Sequence, residues 1–421
     1  MYPTARQGRA LVELLVAQRD VYNAALEERR GAWRWERRLV TRYDQFGQLS
    51  GDGDGFEWLA RFGVGVARGT LVRLDEAFQH VFRRVREGQR PGFPRFRGAG
   101  SWDSVQWADT IGWNLDHHNR RGYGRLYVQG VGHIRIKVHR VFGDGAEARK
   151  LVVRRRGIRW EATVFWRNVQ IPPLAPTGRA CGIDVGVDVL AAIADDQGGM
   201  ELVANPRHLR ARQDKLAAAQ RALAACTKTG RREGGRRNRA KARVARLHAK
   251  VRQARRDLAH QLSARLVRDF DLIAHEALDV EAMTRSARGT LERPGRNVAQ
   301  KGGLNRSILD AGWGQLLCLI TYKAASAGRM IQRVPAARTS QTCARCGHTS
   351  GESRVTRDRF ACVACGHDAH ADANSAAVIL AVALGHLVIR APSRERGVNC
   401  RPESGHQPVT AGRDAAPSCG S

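Results

Sequence analysis

The chain has 421 residues, 71 Lys+Arg against 40 Asp+Glu, a formal net charge of +31 and a sequence pI near 11.2. With 43% apolar residues it can build ordinary globular cores, which excludes disorder throughout. So large a positive excess repels itself in a compact state and calls for a polyanionic partner, nucleic acid before an anionic membrane.

The basic residues are 63 Arg and 8 Lys. Arg suits bidentate phosphate contacts, but the ratio itself reads as codon usage in a GC-rich genome. The opening Met1-Tyr-Pro-Thr-Ala-Arg6 has no charged n-region followed by an apolar h-region. The longest uninterrupted apolar run, Ala376 to Leu384, is too short to span a bilayer. A soluble cytoplasmic protein with no membrane partner is expected.

From Gln7 to Arg37, Leu11, Leu14, Leu15, Val21, Tyr22 and Leu26 recur at spacings of three and four and predict a helix. Ser50-Gly-Asp-Gly-Asp-Gly55 breaks the pattern. A second helix is expected over about Ala67 to Arg86, with Leu71, Leu74, Phe78 and Phe82 on one face, stopped by Pro91-Gly-Phe-Pro-Arg-Phe96. Residues 1–98 therefore read as a helical module. Over 99–178 short β-like runs take its place, at Arg125–Val128, His133–Val138, Leu151–Arg154 and Trp160–Phe165. In His133–Val138 the apolar and basic residues alternate strictly, the mark of a half-buried strand with a basic outer face. Their spacing and Gly-rich turns predict a small antiparallel β-barrel, followed by a linker at Pro172-Pro173 and Pro176.

Gly182-Ile-Asp-Val-Gly-Val-Asp-Val189 alternates again, with Ile183, Val185, Val187 and Val189 on one face and Asp184 on the other. Leu190–Asp195 and Glu201–Ala204 read as further strands. A basic helical region follows: between Arg207 and Arg256 there are 18 Lys+Arg and two acidic residues. Gly230 to Gly235 interrupts it, which predicts a helical hairpin. Phe270–Glu276 reads as a strand, residues 307 to 327 as a helix, Arg329–Val334 as a strand and Ala373–Leu387 as an apolar helix. Residues 389–421, rich in Pro, Arg, Gly and Ser, read as a disordered tail.

Cys343-Ala-Arg-Cys346 and Cys362-Val-Ala-Cys365 give C-x2-C-x15-C-x2-C, each pair followed by a glycine, Gly347 or Gly366. Four thiolates at this spacing suit one closed, structural Zn²⁺ site rather than a disulfide framework. The carboxylates carry the second signal. Asp184 lies on the first strand of the series, Glu276 ends the fourth, and Asp372 stands just before the last helix. Three strands, a helix, a strand, a helix, a strand and a final helix make an RNase H-like core, in which acids at those positions converge. Three converging carboxylates cannot all ionise cheaply without cations. Two Mg²⁺ ions resolve that repulsion, activate a water and stabilise the leaving oxygen of a phosphodiester.

With these segments in place, the sequence resembles the TnpB family of transposon-encoded, RNA-guided DNA endonucleases, relatives of compact type V CRISPR effectors. The segments that carry it include Tyr2-Pro-Thr4, Val21–Leu26, Leu74–Phe78, Gly92–Phe96, Gly182–Gly186, His275–Val280, Asn305, Gly312-Trp313 and Tyr322-Lys323. The densest runs from Thr339-Ser-Gln-Thr-Cys343 through His370-Ala-Asp-Ala-Asn374. The resemblance implies a multidomain α+β protein. Its parts would be a helical recognition module (1–98), a wedge-type barrel (99–178), a RuvC-like core (179–337 and 368–388) and an inserted zinc ribbon (338–367). It implies Asp184, Glu276 and Asp372 as catalytic Mg²⁺ ligands. The partners implied are a guide RNA from the transposon end and double-stranded target DNA with a short adjacent motif, in the bacterial nucleoid. A catalytically silent RNA-guided repressor, a type V CRISPR effector and an RNA-independent transposase are the alternatives.

Asp188 and Asp368 are set aside as site acids, the first because it lies toward a turn and the second because it follows the cysteine knuckle. His370 is either a proton carrier or a surface residue. The basic run reads either as a solvated face or as a nucleic-acid face, with Arg231, Arg232, Arg236, Arg237 and Arg239 as candidate contacts. Trp33, Trp35, Trp102, Trp107 and Trp113 either stack on bases or fill the core. The family carries a β-strand ahead of Tyr-Pro-Thr; here the sequence opens at Met1-Tyr2, so either the start codon is misassigned or the barrel is expected to lack an edge strand.

Overall fold

Thr4 starts the first helix. Its hydroxyl accepts the Gln7 N–H, and the Gln7 side chain accepts the Thr4 N–H at 3.0 Å, a reciprocal capping box. The computed structural model describes residues 1–49, 57–116, 122–139, 142, 145–157, 159–226, 231–290 and 292–387. The expected tail lies outside these residues. Two compact units divide the chain, Met1–Gln170 and Ile171–Ser421.

In the first unit, α1 (Ala5–Gly31) passes into a π-helical turn, Ala32–Glu36, which Arg37 ends at φ 51°. Then come α2 (Arg42–Gln48), α3 (Glu57–Phe62) and α4 (Val64–Arg86). The predicted apolar face of α1 is buried, Leu11, Leu14 and Leu26 almost completely. Six strands follow: β1 (Ser104–Trp107), β2 (Trp113–Asp116), β3 (Tyr123–Val128), β4 (Gly132–Lys137), β5 (Glu147–Arg156) and β6 (Arg159–Arg167). α4 lies directly on β1: a Cβ on Gly69 would stand 1.9 Å from the Gln106 carbonyl oxygen, so only glycine fits there. The basic alternation behaves as expected, with Ile134 and Ile136 buried and Arg135 and Lys137 exposed.

The expected barrel is not closed. Among the described residues the strands form two separate three-stranded antiparallel sheets, β1-β5-β6 and β2-β3-β4. The turn between β1 and β2 is the physical reason. Asp109 caps it by accepting the Ile111 N–H, and the Trp113 indole donates to the Asp109 carbonyl at 2.7 Å, so β2 leaves the ladder that β1 belongs to. The two sheets share one core, in which Val105, Trp107, Leu151 and Val153 of one meet Leu126, Val128 and Ile134 of the other. Met1 and Tyr2 touch both sheets. The Met1 ammonium donates to the Trp160 carbonyl at 3.0 Å, and the Tyr2 N–H to the Arg135 carbonyl at 2.8 Å. One isolated bridge thus stands where an edge strand was expected to be missing.

The second unit is built on β7 (Ala180–Val185), β8 (Val189–Asp195), β9 (Met200–Ala204), β10 (Leu272–Glu276) and β11 (Met330–Val334), in the sheet order β11-β10-β7-β8-β9. β7, β8 and β9 are antiparallel neighbours; β10 runs parallel to β7, and β11 parallel to β10. This is the expected RNase H-like order. The alternation from Gly182 to Val189 is not one strand, however. β7 stops at Val185, and the Gly186 N–H closes a hairpin on the Leu190 carbonyl at 3.2 Å.

The helices are α5 (Gln213–Ala224), α6 (Arg231–Asp269), the short α7 (Val280–Met283), α8 (Val298–Ala311), α9 (Trp313–Ala327) and α10 (Ala371–Ala383). α5 and α6 form the predicted hairpin, but Gly234 and Gly235 lie inside α6 rather than in the break. The single helix read over 307–327 is two, because Gly312 at φ 74° ends α8 and opens α9. α6 and α9 cover one face of the sheet, packing Leu262, Leu266, Leu316 and Ile320 on Cys181, Ile183 and Ile193.

α10 covers the other face with small residues, Ala376 against Ala192 and Ala194. There the approach is very close. A Cβ on Gly182 would lie 2.2 Å from the Ala376 carbonyl oxygen and 2.7 Å from the Leu380 nitrogen, both backbone atoms that cannot step aside. Gly182→Ala should therefore push α10 off β7 and destabilise the second unit by about 3 kcal/mol. Calorimetry should show the midpoint of that unit falling by several degrees.

Candidate active site

Three carboxylates come to one end of this sheet. Asp184 is the fifth residue of β7, on the α10 side of the strand. Glu276 is the last residue of the parallel neighbour β10, one step beyond the pair His275–Ile183. Asp372 lies in the first turn of α10, where the helix dipole favours a negative charge. Its Oδ2 is 3.5 Å from where a Gly186 Cβ would be, two residues beyond Asp184. Gly186 is held in turn by the Trp313 indole, which donates to its carbonyl at 3.0 Å.

The acids feel one another. Burial pushes the Asp184 carboxyl up to about 8, and the charges of Glu276 and Asp372 add to that, while Arg354 works in the opposite direction. Burial also raises Glu276, opposed by a hydrogen bond from the Thr339 hydroxyl. It raises Asp372 too, opposed by His370 and Arg354. Such a cluster of carboxyls can hold divalent cations through oxygen ligands, which these residue types supply.

The acids set aside are placed elsewhere. Asp188 sits in the β7–β8 hairpin, paired with Arg207 and, at 2.6 Å, with Arg357. Asp368 is paired with Arg359 at 2.6 Å. His370 is the N-cap of α10, its Nδ1 accepting the Asp372 N–H at 3.2 Å.

The four cysteines form a second cluster, their sulfurs all within 4.8 Å of one another. The Sγ distances Cys343–Cys365 and Cys346–Cys362 are 3.7 and 3.6 Å. These match the edges of a tetrahedron of sulfurs about 2.3 Å from a central ion. Each C-x2-C turn is a knuckle: the Gly347 N–H bonds the Cys343 carbonyl and the Gly366 N–H the Cys362 carbonyl, both at 2.9 Å. Both glycines have positive φ, 74° and 69°, which explains their place in the sequence.

Arg236, Arg237 and Arg239 lie near the start of α6. Arg236 and Arg239 are exposed, whereas the helix meets the sheet core only from Ala259 onward, roughly 30 Å along its axis from them. They are not brought to the acids. The side chains of Arg231 and Arg232 lie outside the described residues. Of the tryptophans, Trp107 and Trp113 are core residues and Trp102 packs on Tyr22, while Trp33 and Trp35 are exposed beneath Arg37 and Arg34.

Comparison with known proteins follows the same lines. A family model described as "Probable transposase" (OrfB_IS605) matches residues 161–287, and one described as "Cas12f1-like, TNB domain" matches residues 313–379. The chain is 33% identical to "Putative RNA-guided DNA endonuclease InsQ" of Escherichia coli (strain K12) over 322 residues, covering 76% of this chain and 74% of that protein. The chain belongs to the TnpB family.

A "Putative RNA-guided DNA endonuclease" of Streptomyces pristinaespiralis is 30% identical over 91% of this chain and 88% of its own length. The fold is shared with the protein in a cryo-EM structure of a Cas12f1–sgRNA–target DNA complex, with a TM-score of 0.55 at 14% identity, covering 88% of this chain and 81% of that one. The first family match spans Asp184 and Glu276; the second spans the four cysteines and Asp372. Among the described residues no helix is long and apolar enough to cross a membrane.

The three acids also have neighbours that sequence reasoning missed. Arg354, from the cysteine module, stands 3.8 Å from Asp372. Thr339 holds Glu276, and Asn374 is completely buried two residues past Asp372. The signal for Asn374 was present, as a polar residue in an otherwise apolar helix; Arg354 had none among so many arginines.

The raised Asp184 carboxyl gives a pH dependence. Between the ordinary carboxylate value, 3.8, and about 8, the unfolded chain is ionised at this group while the folded one keeps its proton. The stabilisation it contributes is therefore complete below pH 4 and is lost as pH rises toward 8. Without divalent cations, the melting temperature of the native protein should fall relative to that of Asp184→Asn between pH 5 and 8. Added Mg²⁺ should recover it at pH 8, as read by scanning calorimetry.

Proposed function

We propose that this chain is an RNA-guided DNA endonuclease, encoded by a transposable element, that hydrolyses phosphodiester bonds at the Asp184–Glu276–Asp372 site. One observation carries the reading: a central-strand carboxyl is pressed by two others from an adjacent strand and a helix start, at the end of an RNase H-like sheet. Asp184, Glu276 and Asp372 would hold two Mg²⁺ ions, which when bound supply an activated water and charge for the leaving oxygen.

The chain's own residues do the rest. The carboxylates are half-buried, and the α10 N-terminus fixes Asp372. Arg354 and Arg357 bring positive charge over the site from the cysteine module, where a phosphate of the cut strand would lie. One Zn²⁺ on Cys343, Cys346, Cys362 and Cys365 would fold that module and take no part in chemistry, since four thiolates leave no open position.

The α5–α6 hairpin, with Arg236, Arg237 and Arg239 and the preceding Arg231 and Arg232, would track phosphates of the guide or its heteroduplex. The first unit, as recognition and wedge regions, would hold the RNA scaffold and read a short duplex motif. Base pairing supplies the remaining sequence specificity, as in RNA-guided effectors generally. The guide would come from the transposon end, and the complex would act on DNA in the bacterial nucleoid.

Asp184→Ala, Glu276→Ala and Asp372→Ala should each lower target cleavage on the order of 10³-fold or more while leaving the co-purifying RNA in place. Undiminished cleavage by Asp184→Ala would overturn the site. Sequencing the RNA bound to protein expressed with its native locus identifies the guide. A repeat-derived RNA would point to a CRISPR effector, binding without cutting to a silent repressor, and full activity after RNase treatment to an unguided transposase.

A further inference from the structure

Thr339 to Ala344 is a six-residue segment that touches Glu276 and the helix that carries Asp372, and leads into the first cysteine knuckle. Thr339, 2% exposed, donates its hydroxyl to Glu276 Oε1 across 63 residues of sequence. The preceding residue, Arg338, has φ 64°, an unfavourable backbone state for a side chain of that size. Three residues on, the chain grips α10. The Asn374 amide donates to the Thr342 carbonyl at 2.7 Å and accepts the Ala344 N–H at 3.0 Å.

Thr342 and Ala344 flank Cys343, so both bonds straddle a cysteine of the cluster. On the other side of Asp372, Ala371 packs in one buried cluster with Cys343, Cys362 and Phe360. Asp372 is therefore anchored from both sides on the cysteine module, and Glu276 is anchored on the segment entering it.

We propose that Thr339 and Asn374 are positioning residues, through which the cysteine knuckle sets the places of Glu276 and Asp372 as cation ligands. The inference rests on the nuclease reading of these acids and adds a physical link between the two metal sites. A hydrogen bond to one carboxylate oxygen fixes the rotation of the group, and groups that orient metal ligands commonly change metal affinity 10- to 100-fold when removed. A purely structural role for Thr339 would cost stability without changing what the folded site binds.

The test uses the full chain with its RNA and compares Thr339→Val, Thr339→Ser and Asn374→Ala with the native protein. Zinc per chain and retained RNA report integrity. Bound Mn²⁺, counted by electron paramagnetic resonance of the free ion and taken as the excess over Asp184→Ala carrying the same RNA and over the RNA alone, reports the acidic site without catalysis. The Mg²⁺ concentration giving half-maximal cleavage is read beside it.

Thr339→Val should weaken Mn²⁺ binding and raise the Mg²⁺ requirement about tenfold at unchanged zinc and RNA content. Thr339→Ser should stay within about twofold of native, because it restores the hydroxyl. Asn374→Ala should follow Thr339→Val; if it loses zinc instead, the Thr339 pair decides. Native Mn²⁺ binding in Thr339→Val, or equal loss in Thr339→Ser, would overturn the proposal. Failure of the nuclease reading looks different: Asp184→Ala would then bind Mn²⁺ as the native chain does, and no concentration of Mg²⁺ would support cutting.

Discussion

The close approach of α10 to β7 is the constraint on which the site depends. A helix rides normally about 10 Å from a sheet; here the backbones nearly touch, because Gly182 has no side chain and α10 offers Ala376 and, on the same face, Ala373. The neighbouring strand gives way too, with Ala192 and Ala194 beneath the helix. The gain is positional. Only with α10 this low does the Asp372 carboxylate reach the level of Gly186 and share the field of Asp184. Gly186 is needed for the same reason, since a Cβ there would also meet the Val189 carbonyl oxygen at 2.6 Å. Two glycines flanking one aspartate thus carry a geometric requirement rather than backbone freedom, since neither has a positive φ.

Once α10 is seated, the rest of the unit follows from satisfying it. The cysteine module precedes α10 immediately, and its last strand, β13 (Asp368–His370), pairing with β12 (Arg359–Ala361), ends in the residue that caps the helix. Asn374 ties the helix back to the first knuckle. On the opposite face the sheet has ordinary large side chains and buries them against α6 and α9, which is where the hydrophobic stabilisation resides. The division is functional in physical terms. One face is packed for stability with leucine and isoleucine, and the other with alanine and glycine to bring charged groups close.

Several of these features were legible in the sequence because their determinants are local. The C-x2-C pairs with their glycines specify knuckles within five residues each, and the sulfurs do cluster. The order of strands and acids specified the sheet, since an RNase H-like order fixes which strands are neighbours. Other features were not local. Val187 and Val189 continued the alternation of β7 after the chain had already turned at Gly186, because a period of two does not register a tight hairpin. Closure of the β-region depends on pairing between distant strands, and the turn that prevents it rests on Asp109 and Trp113, neither of which marks a break by type. Gly234 and Gly235 were read as a break, yet α6 continues through them, its apolar positions from Val244 onward sustaining the pattern. Asn374 stands out in sequence only as a polar residue in an apolar helix, and Thr339 not at all; what each one holds is not legible, for their partners lie about 30 and 63 residues away.

The placement of arginine gives the charge of the chain a second meaning. Ordinary acids here find a guanidinium. Asp195 has Arg179 at 2.5 Å, Asp271 has Arg329 at 2.5 Å, Asp368 has Arg359 and Asp188 has Arg357. Among the described residues Asp184 and Glu276 form no ion pair, and Asp372 meets Arg354 only at 3.8 Å. Their immediate neighbours are instead glycine, Ser375 and Thr339. Burying carboxylates without a cation raises their pKa rather than being tolerated as charge, as Asp184 does. A strongly basic protein has therefore left Asp184 and Glu276 without a direct guanidinium pair, at a position where one would have relieved them. Under the proposed reading, cations from solution would stabilise these groups as carboxylates, and the surrounding excess of arginine would steer nucleic acid toward them.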